Sequence, residues 1–454
     1  MLLESRSMTR RSLLQGLAAA PLAAQGKRPP NVLFVAVDDL NVHLNCYGFK
    51  VVKSPNIDDI ARRGMRFDRA YCQYPLCNPS RSSLLSGLRP PHTKVSGNLT
   101  WFRETIPDAV TLPQYFREHG YFTARTGKIF HDGLDDPKAW DVGYMPHVVQ
   151  HQLKGQALIE RQKRADRWEK LEGEGENEPD YKTATEAIGF LERKHDKPFF
   201  IGVGFRKPHV PFVAPKKYFD LYDPDRMELP PDFAPRVAGT GPAYRPNFDV
   251  FINRDAPPPL AREGIAAYFA AISFMDAQLG RVMSALERLG LRDNTIVSLF
   301  GDHGWHLGEK GMWSKMTLFE VGVHAPLLIA APGMKTAGRN CATPVEFVDI
   351  YPTLADLADL PKPSGLDGRT LKPLLENPEA KWDKPAYTYQ VRGPIRGVTV
   401  RMRRYRYTEW DQGSAGTELY DEDADAAEMH NVAADPRYSA VVKEMKEHLA
   451  GHGW

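Results

Sequence analysis

Residues 31–41 read NVLFVAVDDLN. Val32 to Val37 is an unbroken apolar run, short, rich in β-branched side chains, and closed by two acids. Such a run reads as a strand buried on both faces of a parallel sheet, with Asp38 and Asp39 at its carboxyl end. Working outward, the same texture recurs. YFTARTGKIFH (121–131) is a shorter strand ending near Lys128, and HDKPFFIGVGFRKPH (195–209) one ending before His209. NTIVSLFGDHGW (294–305) delivers Asp302 and His303, and APLLIAAPG (325–333) adds a further strand. Between them, SPNIDDIARRG (54–64) starts a helix, and residues 264–290 carry apolar positions at the spacing of one long amphipathic helix. Strands alternating with helices predict an α/β fold, a mostly parallel central sheet flanked by helices. Asp38/Asp39, Lys128/His131, His209 and Asp302/His303 all fall just beyond strand ends, the edge where open α/β sheets bind ligands.

The chain of 454 residues is long enough for one large domain and a smaller one. No apolar run of ~18 residues is present, so a membrane span is not expected. MTRRSLLQGLAAAPLAAQG (8–26) places Arg10 and Arg11 before a short Leu/Ala stretch. This reads as a twin-arginine signal peptide over residues 1–24. It predicts passage through the twin-arginine export machinery to a periplasmic or extracellular location. The net charge of +2 falls to near zero without Arg6, Arg10, Arg11 and Glu4, which excludes a polycation for nucleic acid. An anionic substrate must then be caught by local charges in a cleft. Cys46, Cys72, Cys77 and Cys341 are too few for a disulfide framework and lack zinc-type spacing; all but Cys77 are expected to be buried thiols. Residues 229–260, rich in Pro, Gly and Asp, read as a long surface excursion. From 385 to 454 the texture changes to a small α+β subdomain, in which Arg401, Arg403, Arg404 and Arg406 are expected on a solvated strand face.

YPLCNPSRSSLLSG (74–87) runs a cysteine straight into a helix. Asn78 is the expected cap and Pro79 the first helical residue, which puts Cys77 at a helix N-terminus, where an anion is favoured. Arg81 adds a planar, permanent charge. A nucleophile facing an anionic substrate and a low-pKa thiol both satisfy this pattern. Asp38, Asp39, Asp302 and His303 offer hard oxygens and one imidazole, a set suited to Ca²⁺ or Mg²⁺.

CNPSR resembles the Cys-x-Pro-Ser-Arg signature of type I sulfatases, in the alkaline-phosphatase-like superfamily. VDDL (37–40), TGKIFH (126–131), KPHVPF (207–212) and GDHGWHLGEKGMWSK (301–315) match in the same order. ELYDEDADAAEMHNVA (418–433) looks like the Leu-Tyr-Asp turn of sulfatase C-terminal subdomains. Within the family, GDHGW, TGKIFH and YRYTEW (405–410) look most like iduronate-2-sulfatases. The resemblance implies a sulfatase catalytic domain over 31–384. It also implies oxidation of Cys77 to formylglycine by a cytosolic formylglycine-generating enzyme that reads Cys-x-Pro-x-Arg; Asn78 occupies the variable position.

In that scheme Asp38, Asp39, Asp302, His303 and modified Cys77 coordinate the metal, Arg81 holds the metal site and the nucleophile, and Lys128 and Lys315 clamp sulfate oxygens. His131 takes a proton in the elimination step, and His209 sits by the leaving oxygen. His306 is expected beside the site and His324 to be structural. Trp305 either stacks on a sugar or packs in the core. The implied activity is a sulfuric ester hydrolase of sulfated sugars, with a 2-sulfated uronic acid first among them. The open alternatives are another sulfated polysaccharide, such as an algal one, read by the 229–260 excursion; a phosphodiester or phosphonate monoester hydrolase with the same modified cysteine; and an unmodified homologue that only binds sulfated glycans.

Overall fold

The structure, a computed structural model, describes residues 28–149, 151–252 and 254–452. The signal-peptide reading of residues 1–24 lies outside them. The elements that position the site are, in chain order, β1 (Asn31–Val37), α1 (Pro55–Arg63), β2 (Met65–Phe67), α2 (Cys77–Ser86), β3 (Phe122–Gly127), α3 (Pro179–Leu191), β4 (Phe199–Phe205), α4 (Pro258–Arg288), β5 (Thr295–Gly301), β6 (Leu327–Ala330) and β7 (Asn340–Cys341). The strands form one sheet in the order β7-β2-β6-β5-β1-β4-β3. β1 pairs in parallel with β4 and β5, and β3 in parallel with β4. Only β6 runs against its neighbours β5 and β2.

The two faces of β1 explain its unbroken apolar run. Leu33, Val35 and Val37 pack on one side with Ile265, Phe269 and Ile272 of α4 and with α1. Val32, Phe34 and Ala36 pack on the other with Leu84 and Leu85 of α2. Alternate side chains point to opposite faces, so a strand covered twice must be apolar at every position. The long helix starts earlier than residue 264, at Pro258, because proline is tolerated in a first helical turn.

The C-terminal part is a four-stranded antiparallel meander, β8 (Ala386–Arg392), β9 (Ile395–Arg401), β10 (Tyr405–Trp410) and β11 (Gly416–Asp421), packed with α5 (Ser439–Leu449). It is fastened to the segment that leads into Cys77. Tyr389 N–H donates to the Gln73 carbonyl at 2.9 Å, Thr388 Oγ1 to the Cys72 carbonyl at 2.6 Å, and Val391 N–H to Tyr74 Oη at 3.0 Å.

The expected solvated arginine face is overturned. Arg403 and Arg404 lie at the exposed turn between β9 and β10, but Arg401 and Arg406 are buried. Arg406 pairs with Glu320 of the α/β part and, at 2.7 Å, with Glu428; Arg401 reaches Glu320 and Glu422, each at 3.3 Å. Their acids come from distant segments, so local charge density misreads them. Cys46 is half-buried rather than buried. Among the described residues no helix is long and apolar enough to cross a membrane.

Candidate active site

β5, β1, β4 and β3 lie side by side and parallel, so their carboxyl ends open on one edge. That edge receives Asp302 and His303, Asp38 and Asp39, His209, and Lys128 with His131 in turn. Asp38 N–H is fixed to the Phe205 carbonyl at 3.1 Å and Asp302 N–H to the Val37 carbonyl at 3.2 Å. Asp39 takes a left-handed backbone conformation (φ 62°) that turns the chain away from the sheet. Its N–H donates to Asp302 Oδ1 at 3.0 Å. Lys128 N–H donates to the Gly204 carbonyl at 2.8 Å. A Cβ on Gly204 would lie 2.2 Å from that lysine's backbone carbonyl, so glycine is required at this close approach.

Cys77 is the first residue of α2 and is buried. Leu76, in extended conformation, occupies the cap position expected for Asn78. Asn78 instead anchors a neighbouring loop, donating from Nδ2 to the carbonyls of Gly97 and Thr100 at 2.8 Å each. Cys77 Sγ lies 3.4 Å from His303 Nε2, 3.1 Å from Lys315 Nζ and 3.9 Å from Asp39 Oδ1. His303 Nδ1 faces the Gly304 carbonyl at 3.0 Å, which makes it the donor and leaves an Nε2 lone pair toward the acids. Arg81 donates from Nε to Asp302 Oδ2 at 2.8 Å, and its Nη1 is held by the Lys128 and Ile129 carbonyls. Lys128 Nζ meets Asp38 Oδ2 at 2.5 Å, and Lys315 Nζ donates to Asp39 Oδ1. His209 Nε2 stands 3.8 Å from Asp39 Oδ2.

Burial dominates the electrostatics here, and the neighbours decide the sign. Burial opposes ionisation of Asp38, but Lys128, then His209 and Arg81, hold its carboxyl well below the usual range. Burial pushes Asp39 well above it; Lys315 opposes, while Asp38 and Asp302 add repulsion. Burial, then Asp38, raises the Cys77 thiol, which removes the low-pKa-thiol reading. Burial lowers His131 to about 3, with Lys128 adding to the effect, and leaves its Nδ1 without a partner. Burial also lowers His209 well below its ordinary value.

Donor atoms of Asp38, Asp39, Cys77 and His303 all lie within 4.8 Å of one another. Asp39 Oδ2 is buried without a hydrogen-bond partner. An acid repelled by two others, an unmatched oxygen and a free imidazole nitrogen are what a bound cation relieves, so the residues present fit a divalent metal. Asp302 stands just outside this quartet, its oxygens taken by Asp39 N–H and Arg81.

Two further residues, to which the sequence reading gave no role, serve the site. Tyr268 of α4 accepts from Asn41 N–H at 3.0 Å and donates to the Asp39 carbonyl at 2.7 Å, bracing the left-handed turn. Ser80 Oγ, one turn along α2, donates to the Asp302 carbonyl. The one hint for Tyr268 is a polar tip within an otherwise apolar helical stretch. Trp305 is fully buried and stacks parallel on Tyr268 with ring centroids 6.2 Å apart, so it is core and not a sugar platform. His306 is buried against Thr317 Oγ1 at 2.6 Å, and His324 lies 3.3 Å from Glu320. The 229–260 excursion packs on the loop that carries Lys315: Asn247 Oδ1 accepts from Trp313 N–H at 2.8 Å and Asp249 from Ser314 Oγ at 3.0 Å.

Comparison with known proteins gives the family. Residues 30–360 match the family model described as Sulfatase, and residues 308–452 one described as N-sulphoglucosamine sulphohydrolase, C-terminal. Iduronate 2-sulfatase of Mus musculus is 32% identical, over 96% of this chain and 97% of its own. A solved structure in complex with its substrate, D-glucosamine-2-N,6-O-disulfate, superposes with a TM-score of 0.77 at 24% identity, covering 94% of this chain and 97% of that one. A phosphonate monoester hydrolase of Agrobacterium radiobacter superposes at 0.75 with 25% identity, covering 93% and 95%. With a family model spanning most of the chain and a relative aligned nearly end to end, the chain belongs to the sulfatase family, the enzymes that hydrolyse sulfuric esters.

Proposed function

We propose that this sulfatase removes sulfate from sulfated sugars, with a 2-sulfated uronic acid as its preferred unit. It would do so through formylglycine made from Cys77 and a divalent cation, Ca²⁺ or Mg²⁺, held by Asp38, Asp39, Asp302, His303 and the modified Cys77. The observation that carries this reading is the meeting of Asp38, Asp39, Cys77 and His303 between the ammonium groups of Lys128 and Lys315. The likeness to iduronate 2-sulfatase along both chains supports the sugar.

A bound cation supplies Lewis-acid polarisation of the nucleophile and the sulfate oxygens. Formylglycine made from Cys77, once hydrated, would supply two hydroxyls: one as the nucleophile toward sulfur, with the sugar alcohol as leaving group, and one whose deprotonation would release sulfate and restore the aldehyde. Lys128 and Lys315, already inside the site, take the sulfate oxygens as charge develops. Arg81, tied to Asp302 and two carbonyls, keeps the base of the site in register. His131, neutral and with an open Nδ1, takes the proton of the elimination step. His209 is beside the leaving oxygen; neutral in this state, it must gain a proton before it donates one. Residues 31–384 form the catalytic domain and 385–454 the subdomain. Modification by a formylglycine-generating enzyme precedes twin-arginine export to the periplasm or beyond.

The likeness to a phosphonate monoester hydrolase keeps one second reading, the same nucleophile acting on phosphorus. Parallel turnover of an aryl sulfate, an aryl phosphate diester and a phosphonate monoester separates the two. Intact-mass analysis should find formylglycine at Cys77. Cys77→Ala should remove turnover through kcat while leaving the protein folded. Chelation should abolish activity, and Ca²⁺ or Mg²⁺ should restore it. Residual activity in Cys77→Ala overturns the nucleophile. A higher kcat/KM for neutral sulfated galactose or rhamnose oligosaccharides than for a 2-sulfo-uronate disaccharide overturns the uronate preference.

A further inference from the structure

Two arginines that meet Met316, the residue after Lys315, form no ion pair among the described residues. Arg245 lies in the 229–260 excursion and Arg392 ends β8; both are half-buried. They converge on one residue, Met316: Arg245 Nη1 reaches its Sδ, and Arg392 Nη2 donates to its carbonyl. Arg392 Nε donates to the Pro242 carbonyl at 3.1 Å, and the Arg245 guanidinium sits 4.0 Å over the Phe248 ring. The carboxylate that acts on Arg245 is Asp249, which is engaged by Ser314 Oγ at 3.0 Å and lies 4.0 Å from Arg161.

Met316 is tied to the catalytic edge. It follows Lys315, whose Nζ lies 3.1 Å from Cys77 Sγ, and its N–H donates to the Pro75 carbonyl at 3.0 Å, two residues before Cys77. Ser314 (φ 79°) and Met316 (φ 70°) are both left-handed, a conformation costly for side-chain-bearing residues. This strained turn sends Lys315 to the sulfate position and Met316 between the two arginines. Two like charges, Arg392 held against carbonyls and Arg245 against a thioether sulfur and an aromatic ring, repel each other, and an anion reaching both removes the penalty. Burial, then the charge of Arg245, lowers Arg392 to about 9, in keeping with an unneutralised pair.

We propose that Arg245 and Arg392 form a second anion subsite that takes a further negative group of the substrate, a uronate carboxylate or a neighbouring sulfate, while Lys128 and Lys315 hold the sulfate being cleaved. The proposal rests on the Cys77-centred reading and extends it from one charge to two. It also gives the 229–260 excursion and the C-terminal sheet a shared task, since each contributes one arginine.

The test is steady-state kinetics of Arg245→Gln, Arg392→Gln and the double variant on three substrates: a monoanionic aryl sulfate, a 2-sulfo-uronate disaccharide, and a disulfated disaccharide of neutral sugars. Loss of charged hydrogen bonds should raise KM for a dianionic substrate about tenfold or more, with kcat held within about twofold. Aryl sulfate turnover should be unchanged. An effect confined to the uronate identifies a carboxylate as the second anion, and one confined to the disulfated sugar identifies a sulfate. Unchanged KM for both dianions overturns the subsite. Equal losses on all three substrates also overturn it, because the arginines then only support the loop. If wild-type protein cleaves no sulfate ester, the Cys77 reading fails by itself. Calorimetric binding of the same disaccharides to Cys77→Ser then decides the subsite: weaker binding on adding both Gln substitutions upholds it, and equal binding overturns it.

Discussion

Asp39 keeps its left-handed backbone because Tyr268 closes the turn, one hydroxyl serving both the Asn41 N–H and the Asp39 carbonyl. All three residues are buried, so neither backbone group can turn to water instead. Tyr268→Phe keeps the ring stacked on Trp305 and removes only that hydroxyl. The variant should lose about 1–3 kcal/mol of stability in urea unfolding. With the turn loosened, Ca²⁺ affinity should fall about 10–100-fold, as for groups that orient metal ligands. Calorimetric Ca²⁺ titration of both proteins checks this, and equal affinities would show that the turn holds without the hydroxyl.

Among elements, the junction that leads from the sheet toward α2 rests on a buried carboxylate. Glu346 accepts from Arg89 Nε at 2.9 Å and Nη2 at 2.5 Å, and Lys384 Nζ lies 2.9 Å away. Burial opposes its charge, but Lys384 and then Arg89 hold it down at about 2, against an ordinary 4.5. A depressed folded-state carboxylate stabilises above its unfolded pKa and loses that contribution as the group protonates. Glu346 therefore contributes fully above about pH 4.5, and its contribution drains away as pH falls toward about 2. Glu346→Gln takes the buried ion-pair partner from Arg89, while Lys384 keeps Asp349 at 2.6 Å, and should cost about 3–5 kcal/mol at pH 7. It should also flatten the fall in stability across that acid window. Thermal melts at pH 7, 4.5 and 3 would test it; parallel curves for both proteins would remove Glu346 as a source of acid sensitivity.

Over the whole molecule, the C-terminal sheet is joined to the α/β part by a charge cluster at the Arg401/Arg406 face. Burial, with Glu320 and Glu428 beside it, pushes Glu422 up to about 10, so it carries a proton at neutral pH. Two arginines then face Glu320, whose carboxyl they hold well below its ordinary value against burial, and Glu428, whose carboxyl burial pushes up. Arg406→Ala takes the 2.7 Å partner from Glu428 and leaves Glu320 with Arg401 alone of the two arginines, and should cost about 3–5 kcal/mol. Because β8 is also bonded to residues 72–74, wild-type protein should melt as a single calorimetric transition and the variant should do so at a lower temperature. Two resolved transitions in the wild type would mean that the subdomain unfolds independently of the site.

What the sequence determined by itself was local in cause. A six-residue apolar run rich in β-branched side chains and closed by two acids reads as a doubly covered strand with the acids at its end. The parallel sheet and the edge where Asp38, Asp39, Lys128, His131, His209, Asp302 and His303 gather were therefore legible, with Cys77 and Lys315 marked by their motifs. The tertiary structure alone decided the rest. It buried Arg401 and Arg406 with glutamates from remote segments, sealed Trp305 in the core, and moved Asn78 from the cap to a neighbouring loop. It also set Tyr268 under Asp39 and brought Arg245 to Arg392 across 147 positions of chain. Each of these depends on which distant group arrives opposite a side chain. Periodicity and propensity act over a few residues and carry no record of that partner.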